Sequence, residues 1–342
     1  MGERVLTQRA LNRALLARQC LLERSTEPIP QVLEQVGGLQ TQYAPSGYIG
    51  LWTRMAGFRR EALTEALLDR SVIQATLLRT TIHIVARSEF WLHAMRVRRA
   101  RRAWAARTTA LPGEAVLRAS SDALRSALDL GPRTVKELDG LAGGFLGTLG
   151  LWVDLVRVPP SGTWEHRRAD RLALAERWIG PSDATEEAGL AYLVRAYLRA
   201  FGPAPWVDIA TWAGIPTAEA RRAGEALGLR TFVDEAGRPL VDLEGAPLPD
   251  PDMPAPVRFL AHWDAALLVH ARRTGVLPEA HRPRVFNTKQ PFSVGTVLVD
   301  GRVVAGWSCR DGRIVVDPYE DVSSRVAREI EAEREALEAF HA

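Results

Sequence analysis

The sequence has little of what would place the protein outside the cytoplasm or in a membrane. Its 342 residues include only two cysteines, Cys20 and Cys309, which lie far apart, so a disulfide framework is not expected. No apolar run approaches the roughly 20 residues that a membrane span requires. The first residues also lack the apolar stretch of a signal peptide. We therefore predict a cytoplasmic protein that does not bind membranes.

Lysine is almost absent. Only two of the 44 basic residues are lysines, Lys136 and Lys289, and the net charge is only +3. This charge does not by itself indicate a nucleic-acid partner. Arginine makes bidentate contacts with phosphate, which would suit DNA, but a GC-rich coding sequence would produce the same composition.

The sequence also lacks the motifs that would indicate a cofactor or a metal ion. Gly143-Gly144 is not followed by the lysine of a phosphate-binding loop. His262, Asp264 and His270 do not have the spacing of ligands on one helix, so we predict no metal site and no cofactor. Asp264 is predicted instead to position the backbone or an arginine such as Arg258 or Arg272.

Among the features present, the order of predicted elements recurs three times in the first 250 residues. Each repeat consists of short helices followed by two strands, which is typical of a winged helix-turn-helix. The first has helices at 7–22, 28–37, 43–55 and 60–69, and strands within 71–86. The second has helices at 117–130, 134–141 and 145–151, and strands at 153–158 and 163–168. The third has helices at 186–200, 206–214 and 216–228, and strands at 230–233 and 239–243.

The composition changes after Pro249-Asp250-Pro251, where several short strands are predicted. Asp300-Gly301 and Asp311-Gly312 supply the positive φ angles of tight hairpin turns. A final acidic helix is predicted over 323–342. The fold class is therefore α+β, with three tandem winged helix-turn-helix units and a C-terminal small β-barrel. The predicted domains cover residues 1–115, 116–182, 183–250 and 251–342.

The sharpest local motif is Gly38-Leu39-Gln40-Thr41-Gln42-Tyr43. Its two uncharged amides could face one cavity if the helix that begins at residue 28 continues irregularly past the glycine pair. The alternative is that Gln40 and Gln42 are ordinary helix-end residues whose side chains bond the backbone. Spacing alone does not separate these interpretations.

Four other segments occur with this motif in a fixed order. They are Leu51-Trp52-Thr53-Arg54, Leu78-Arg79-Thr80-Thr81-Ile82-His83, Arg258-Phe259-Leu260-Ala261-His262-Trp263-Asp264 and Val297-Leu298-Val299-Asp300-Gly301. With them the chain resembles the AlkZ-type DNA glycosylases over nearly its whole length. Gln40 and Gln42 match the two catalytic positions of that family, and Thr41 stands where the family has an aliphatic residue.

The resemblance implies a monofunctional glycosylase that wraps around duplex DNA with three winged helices and a β-barrel, and that we expect to act as a monomer. Members of the family include self-resistance enzymes of antibiotic producers. These remove bulky purine adducts and interstrand crosslinks.

The chemistry of two glutamines agrees with that implication. Glutamine does not titrate, so it cannot act as an ordinary general base. Its carbonyl can hold a water molecule and its dipole can favour an oxocarbenium-like transition state. This modest assistance suffices only if the leaving base is already activated. We therefore predict cationic alkylated purines as substrates, especially labile N7-alkylguanines.

An arginine-rich helix predicted over 88–106 is the first candidate for DNA contact. Arg98, Arg101 and Arg102 share one helix face, so they could contact phosphates, or they could pair with acids elsewhere in the chain. Three further residues complete the predicted DNA-binding set: Trp52, Arg54 and Arg79. His83 lies in an alternating strand pattern and is predicted to be a packed core residue rather than a catalyst.

Two other functions remain open from the sequence. A non-catalytic regulator built from tandem winged helices would bind DNA without releasing a base. A protein-interaction scaffold would show no salt-sensitive DNA binding.

Overall fold

The computed structural model describes residues 4–108, 111, 113–141, 152–268, 275–286 and 293–342, without the side chains of 97, 99–101, 104 and 108. Its helices are α1 (Gln8–Arg18), α2 (Ile29–Val36), α3 (Pro45–Arg54), α4 (Arg60–Leu68), α5 (Arg87–Thr108), α6 (Glu114–Asp129), α7 (Val135–Asp139), α8 (Ala175–Trp178), α9 (Glu186–Phe201), α10 (Trp206–Ala213), α11 (Thr217–Gly224), α12 (Ala265–Leu268), α13 (Arg282–Val285) and α14 (Ser324–His341). Its strands are β1 (Val5–Leu6), β2 (Leu39–Gln40), β3 (Val72–Thr76), β4 (Ile82–Ala86), β5 (Arg133–Thr134), β6 (Leu155–Arg157), β7 (Arg171–Leu174), β8 (Leu229–Asp234), β9 (Pro239–Leu243), β10 (Arg258–Leu260), β11 (Gly295–Val299), β12 (Arg302–Arg310) and β13 (Arg313–Pro318). Short 3₁₀ turns cover Leu78–Thr80, Glu225–Leu227 and Glu279–His281. The fold is mixed α+β, as the sequence predicts.

The signals for helix ends predict the first helices well. The Thr7 hydroxyl accepts a hydrogen bond from the Ala10 amide and begins α1. Gly37, with φ +77°, ends α2 in the left-handed conformation. Helix α1 is shorter than predicted because Cys20 has φ +54°, which turns the chain away from the helix.

One six-stranded sheet combines strands from the first two predicted units, in the order β2-β4-β3-β6-β7-β5. Strand β3 pairs antiparallel with β4 on one side and with β6 on the other. The predicted boundary near residue 115 therefore falls between elements that share a sheet.

The hairpin that begins with β6 has its second strand at a different place from the predicted 163–168. Residues 163–166 form bends and 167–168 have no regular structure, and the strand that forms the hairpin with β6 is β7, Arg171–Leu174. The apolar residues of β7 are buried in the core, while the buried indole of Trp164 belongs to a different core cluster. The chain between β6 and β7, residues 158–170, is called the β6–β7 loop below. The helix predicted over 145–151 lies outside the described residues.

The third predicted group of elements packs around α9. This helix lies at the centre of the largest core cluster, with Leu193 and Tyr197 fully buried. Helices α10 and α11 pack against it. The predicted hairpin is formed by β8 and β9, and β1 adds to it in parallel with β8.

The C-terminal strands form an open antiparallel sheet in the order β10-β11-β12-β13. The Asp-Gly turns are as predicted, with φ +47° and +77° at Asp300 and Gly301. The predicted closed barrel is not found among the described residues. Helix α14 packs against β10 and β13 and buries Leu337 completely, so a helix covers apolar residues that a closed barrel would otherwise enclose.

No helix within the described residues is both long enough and apolar enough to cross a membrane.

Candidate active site

The two candidate glutamines lie where the chain passes from a helix into the six-stranded sheet. Gly37 and Gly38 both have left-handed φ angles, +77° and +78°, and they turn the chain from α2 into β2. A Cβ atom at Gly38 would lie 2.9 Å from a Val85 methyl carbon, so only glycine fits there.

Gln40 lies in β2 opposite His83 of β4, not on the irregular helix that the sequence suggests. The chain is extended at Gln40, and the Thr41 amide continues the pairing by donating to the Ile82 carbonyl at 2.7 Å. Gln42 lies two residues further on, in a bend after β2, and its side chain also bonds β4. Contact with β4 therefore holds both glutamines beside the same strand.

Both amide oxygens face groups that can only donate hydrogen bonds. The Gln42 oxygen accepts from the Ile82 backbone N–H at 3.1 Å, and the Gln40 oxygen lies 3.5 Å from the Arg79 guanidinium. The Ile82 donor fixes which end of the Gln42 amide is oxygen, and the Arg79 guanidinium favours oxygen on the facing end of Gln40. A carbonyl oxygen has two lone pairs, so each can accept a further bond from water. Gln40 is buried and Gln42 is exposed.

Arg79 lies at the edge of this site in an unusual backbone conformation. It is exposed, and both Arg79 and Thr80 have left-handed φ angles, +50° and +60°. Non-glycine residues adopt this region infrequently. The tight turn holds the guanidinium beside Gln40, where the sequence had placed Arg79 only as a DNA contact.

Gln74 joins the glutamine segment to the β6–β7 loop, a connection that sequence reasoning missed. Its buried side-chain nitrogen donates to the Thr41 hydroxyl at 3.2 Å and to the Gly162 carbonyl at 3.4 Å. Gly162 has φ +78°, and a Cβ there would lie 2.1 Å from the Gln74 side-chain oxygen. This contact therefore requires glycine, and Gly162 was the only signal for it in the sequence.

Aromatic and histidine rings surround the residue that follows Gln42. The Tyr43 ring meets His262 edge-on at 5.8 Å, and its hydroxyl accepts from Arg167 at 3.1 Å. Burial lowers the pKa of His262. Burial and the charges of Arg167 and Arg60 lower the pKa of His341 to about 4. Both rings are therefore neutral near pH 7 and do not repel a cationic base.

His83 is buried, as predicted, and its ring contacts the Thr81 carbonyl at 2.9 Å. Burial and the charge of Arg79 lower its pKa to about 3. The ring is therefore neutral and packed in the core.

The structure does not favour DNA contact by Trp52 or Arg54. Trp52 is 9% exposed and stacks with Arg24 at 5.0 Å. Arg54 is fully buried and makes two hydrogen bonds with the Asp264 carboxylate, at 2.8 and 2.9 Å. Asp264 therefore pairs with Arg54 rather than with Arg258, and Arg272 lies outside the described residues, as does His270.

Some of the described arginines of helix α5 are paired within the protein. Arg98 forms an ion pair with Asp154. The guanidinium of Arg102 lies 5.5 Å from the Trp152 ring, and burial and the charge of Arg98 lower its pKa. The side chain of Arg101 lies outside the described residues. Of the two interpretations of this helix, the pairing of Arg98 agrees with the one in which its arginines bind the protein's own acids.

The fold of this chain is similar to that of a known DNA glycosylase. The structure matches Streptomyces sahachiroi DNA glycosylase AlkZ with a TM-score of 0.82, over 98% of this chain and 97% of that one, at 20% sequence identity. At that identity the likeness shows a shared fold. No curated protein sequence matches the chain.

The sequence adds the family. The family described as DNA glycosylase AlkZ-like matches residues 33–340, which include the glutamine motif and the C-terminal sheet. The chain belongs to the AlkZ-like DNA glycosylase family. It is a DNA glycosylase, and the substrate of this class is DNA.

Proposed function

We propose that the chain hydrolyses the N-glycosidic bond of cationic alkylated purines in duplex DNA, with Gln40 and Gln42 as the catalytic residues. The observation that carries this proposal is the anchoring of both amides at the start of β4. The Ile82 N–H holds the Gln42 oxygen at 3.1 Å, and Arg79 faces the Gln40 oxygen. The remaining lone pairs position water for attack on the anomeric carbon.

The choice of substrate rests on how little the two amides can do. Neither glutamine can be ionised, so neither removes a proton from water with the strength of a carboxylate. The N-glycosidic bond of the substrate must therefore be labile even without a strong general base. A purine alkylated at N7 or N3 carries a positive charge and leaves as a neutral base. The neutral ring of His262, which contacts Tyr43 next to Gln42, is compatible with that charge.

N7-alkylguanine is the first substrate that we propose, including bulky adducts of DNA-alkylating natural products and their interstrand crosslinks. The exposure of Gln42 supports this extension, since a large adduct needs an open approach. The biological role would then be DNA repair, and self-resistance in a producer of such a compound.

We also infer how the chain meets DNA. The order of α9, α10, α11 and the β8–β9 hairpin supports a winged-helix unit. The other two units, the three boundaries between the four domains and a monomeric state are proposed with it. Arg79, Arg98, Arg101 and Arg102 remain candidate phosphate contacts, although Arg98 would have to leave Asp154 to make one.

The proposal is tested by single-turnover release of 7-methylguanine from duplex DNA. Gln40→Ala and Gln42→Ala should each slow release by a factor of about 100 or more, because a preorganised dipole aimed at the charge of the transition state contributes on that scale. Their affinity for undamaged duplex should stay near wild type. The matched control is Gln31→Ala, an exposed glutamine of α2.

Two outcomes would reject the catalytic assignment. One is wild-type protein that binds the duplex and releases no base, which would leave a non-catalytic DNA-binding protein. The other is undiminished release by the Gln40→Ala/Gln42→Ala double variant.

A further inference from the structure

The β6–β7 loop and the residues that flank it form an open cleft that the function proposed above does not use. The cleft has a volume of about 320 Å³. Six of its lining residues matter here: Thr134, Ser161, Arg167, Arg168, Asp170 and Arg171. Three of these are arginines and one is an acid, so the cleft carries an excess of positive charge.

The arginines of this cleft are accessible. Arg167, Arg168 and Arg171 are all exposed. Arg168 lies 3.5 Å from Asp170, with its side chain 90% exposed. An ion pair this exposed contributes little free energy, so Arg168 can exchange its partner for a phosphate at small cost. Arg171 makes a long bond of 3.4 Å to the Pro132 carbonyl, and a guanidinium has five N–H donors to offer.

The loop is internally braced, so the cleft is formed before any ligand arrives. The Ser161 hydroxyl accepts from the backbone amides of Asp170 at 2.7 Å and Arg171 at 3.0 Å. It also donates to the Arg168 carbonyl at 2.8 Å. One side chain therefore ties the start of the loop to residues 168–171 at its end. A preformed site loses less conformational entropy when it binds.

The same loop is fixed against the candidate catalytic segment at two points. Gln74 bridges Thr41 and Gly162, and Arg167 donates to the Tyr43 hydroxyl at 3.1 Å. Thr41 lies between the two glutamines and Tyr43 follows them. An anion bound in the cleft would therefore sit in a fixed register with the two amides.

We propose that this cleft binds a phosphodiester of the DNA backbone near the damaged purine, with Arg168 and Arg171 as its ligands. Arg167 is a positioning residue that acts through Tyr43. The inference rests on the proposed glycosylase function for its substrate. Phosphate contacts set the position and orientation of a protein on duplex DNA, and this contact would place the damaged nucleotide against Gln40 and Gln42.

The test measures binding to duplex DNA as a function of salt for Arg168→Gln/Arg171→Gln. Loss of one phosphate contact should reduce the slope of log K against log salt by about 1 and weaken binding roughly tenfold at moderate salt. The matched control is Arg282→Gln/Arg325→Gln, which removes two exposed arginines that pair with nearby acids. Arg168→Lys/Arg171→Lys keeps the charge and should retain most of the slope.

A second measurement locates the contact. Single methylphosphonate substitutions, which remove the charge of one phosphate, are scanned along both strands around a 7-methylguanine. Wild type should lose affinity roughly tenfold at one position, and the Arg168→Gln/Arg171→Gln variant should lose nothing further there. The proposal would be overturned if this variant lost further affinity at every methylphosphonate position. It would also be overturned if Arg168→Gln/Arg171→Gln bound DNA like the control variant.

Base release by the same proteins separates the two proposals. If wild type releases base and the Arg168→Gln/Arg171→Gln variant binds DNA normally, the cleft is wrongly assigned and the glycosylase function stands. If wild type releases no base but the methylphosphonate coupling is found, the phosphate site stands and the catalytic assignment fails.

Discussion

Arginines cluster in two regions, on helix α5 and in the β6–β7 loop together with Arg171 of β7. The fold uses the two clusters differently. On α5, Arg96 pairs with Glu219 and Arg98 pairs with Asp154. In the loop, Arg168 has an exposed acid as its neighbour and keeps a side chain that is 90% exposed. The number of arginines in a segment therefore does not identify a DNA-binding surface. What decides is whether distant segments bring carboxylates to them.

The largest effect is expected where an arginine is wholly committed to the fold. Arg54→Met leaves the buried Asp264 carboxylate without its partner and should lower the free energy of unfolding by roughly 3–5 kcal/mol. Arg168→Gln, in the exposed cluster, should cost less than about 1 kcal/mol. Urea unfolding measures both. Similar losses for the two variants would remove the distinction between committed and accessible arginines.

A second difference between the regions is pH dependence. On α5 the fully buried His93 ring contacts the Tyr192 hydroxyl at 2.9 Å, and burial, with the charge of Arg199, lowers the pKa of His93 to about 3. Below about pH 6.5 the unfolded chain takes up a proton there and the folded chain does not. Stability should therefore fall as the pH falls from about 6.5 towards 3, by up to about 1.4 kcal/mol per pH unit from this group.

The measurement is urea unfolding of wild type and His93→Phe at several pH values. The variant should lose less stability than wild type between pH 7 and pH 5, whatever its stability at pH 7. His166→Gln, in the exposed loop, is the matched control. An unchanged pH dependence in His93→Phe would contradict the assignment of a neutral buried ring.

The smallest effect is expected for the exchangeable part of α5. Arg98→Gln/Arg102→Gln should change the salt slope of DNA binding less than Arg168→Gln/Arg171→Gln does, because Asp154 competes with phosphate for Arg98. The two double variants are compared on the same undamaged duplex. A larger slope change for the α5 variant would reverse the comparison and make this helix the main phosphate contact.

Much of the fold could be predicted because its signals are local. Thr7 begins α1, Gly37 ends α2 and Asp300-Gly301 makes a hairpin turn, each through the conformational preference of one or two residues. The strand predicted over 163–168 failed for the opposite reason. It was placed directly after a turn, but Arg171–Leu174 pairs with β6 instead and Trp164 is buried in another core cluster.

The candidate site shows the same division. The two glutamines were recognised from their motif and from its order with other segments. The placement of Gln40 on a strand depends on pairing with β4, about 40 residues further along the chain, and the Gln42 side chain bonds the start of that same strand. The contacts of Gln74 and Arg167 could not be predicted, because each joins segments that are separated by 33 residues or more.

Neighbouring residues set the Asp-Gly turns and the helix ends at Thr7 and Gly37, and motifs in order indicate the family and the pair of candidate amides. The accessibility of each arginine depends instead on segments far apart in the chain. Arg54 meets Asp264 across 210 residues and Arg98 meets Asp154 across 56. Folding either pairs an arginine with a carboxylate from a distant segment or leaves it exposed to solvent. No local sequence pattern encodes which of the two occurs.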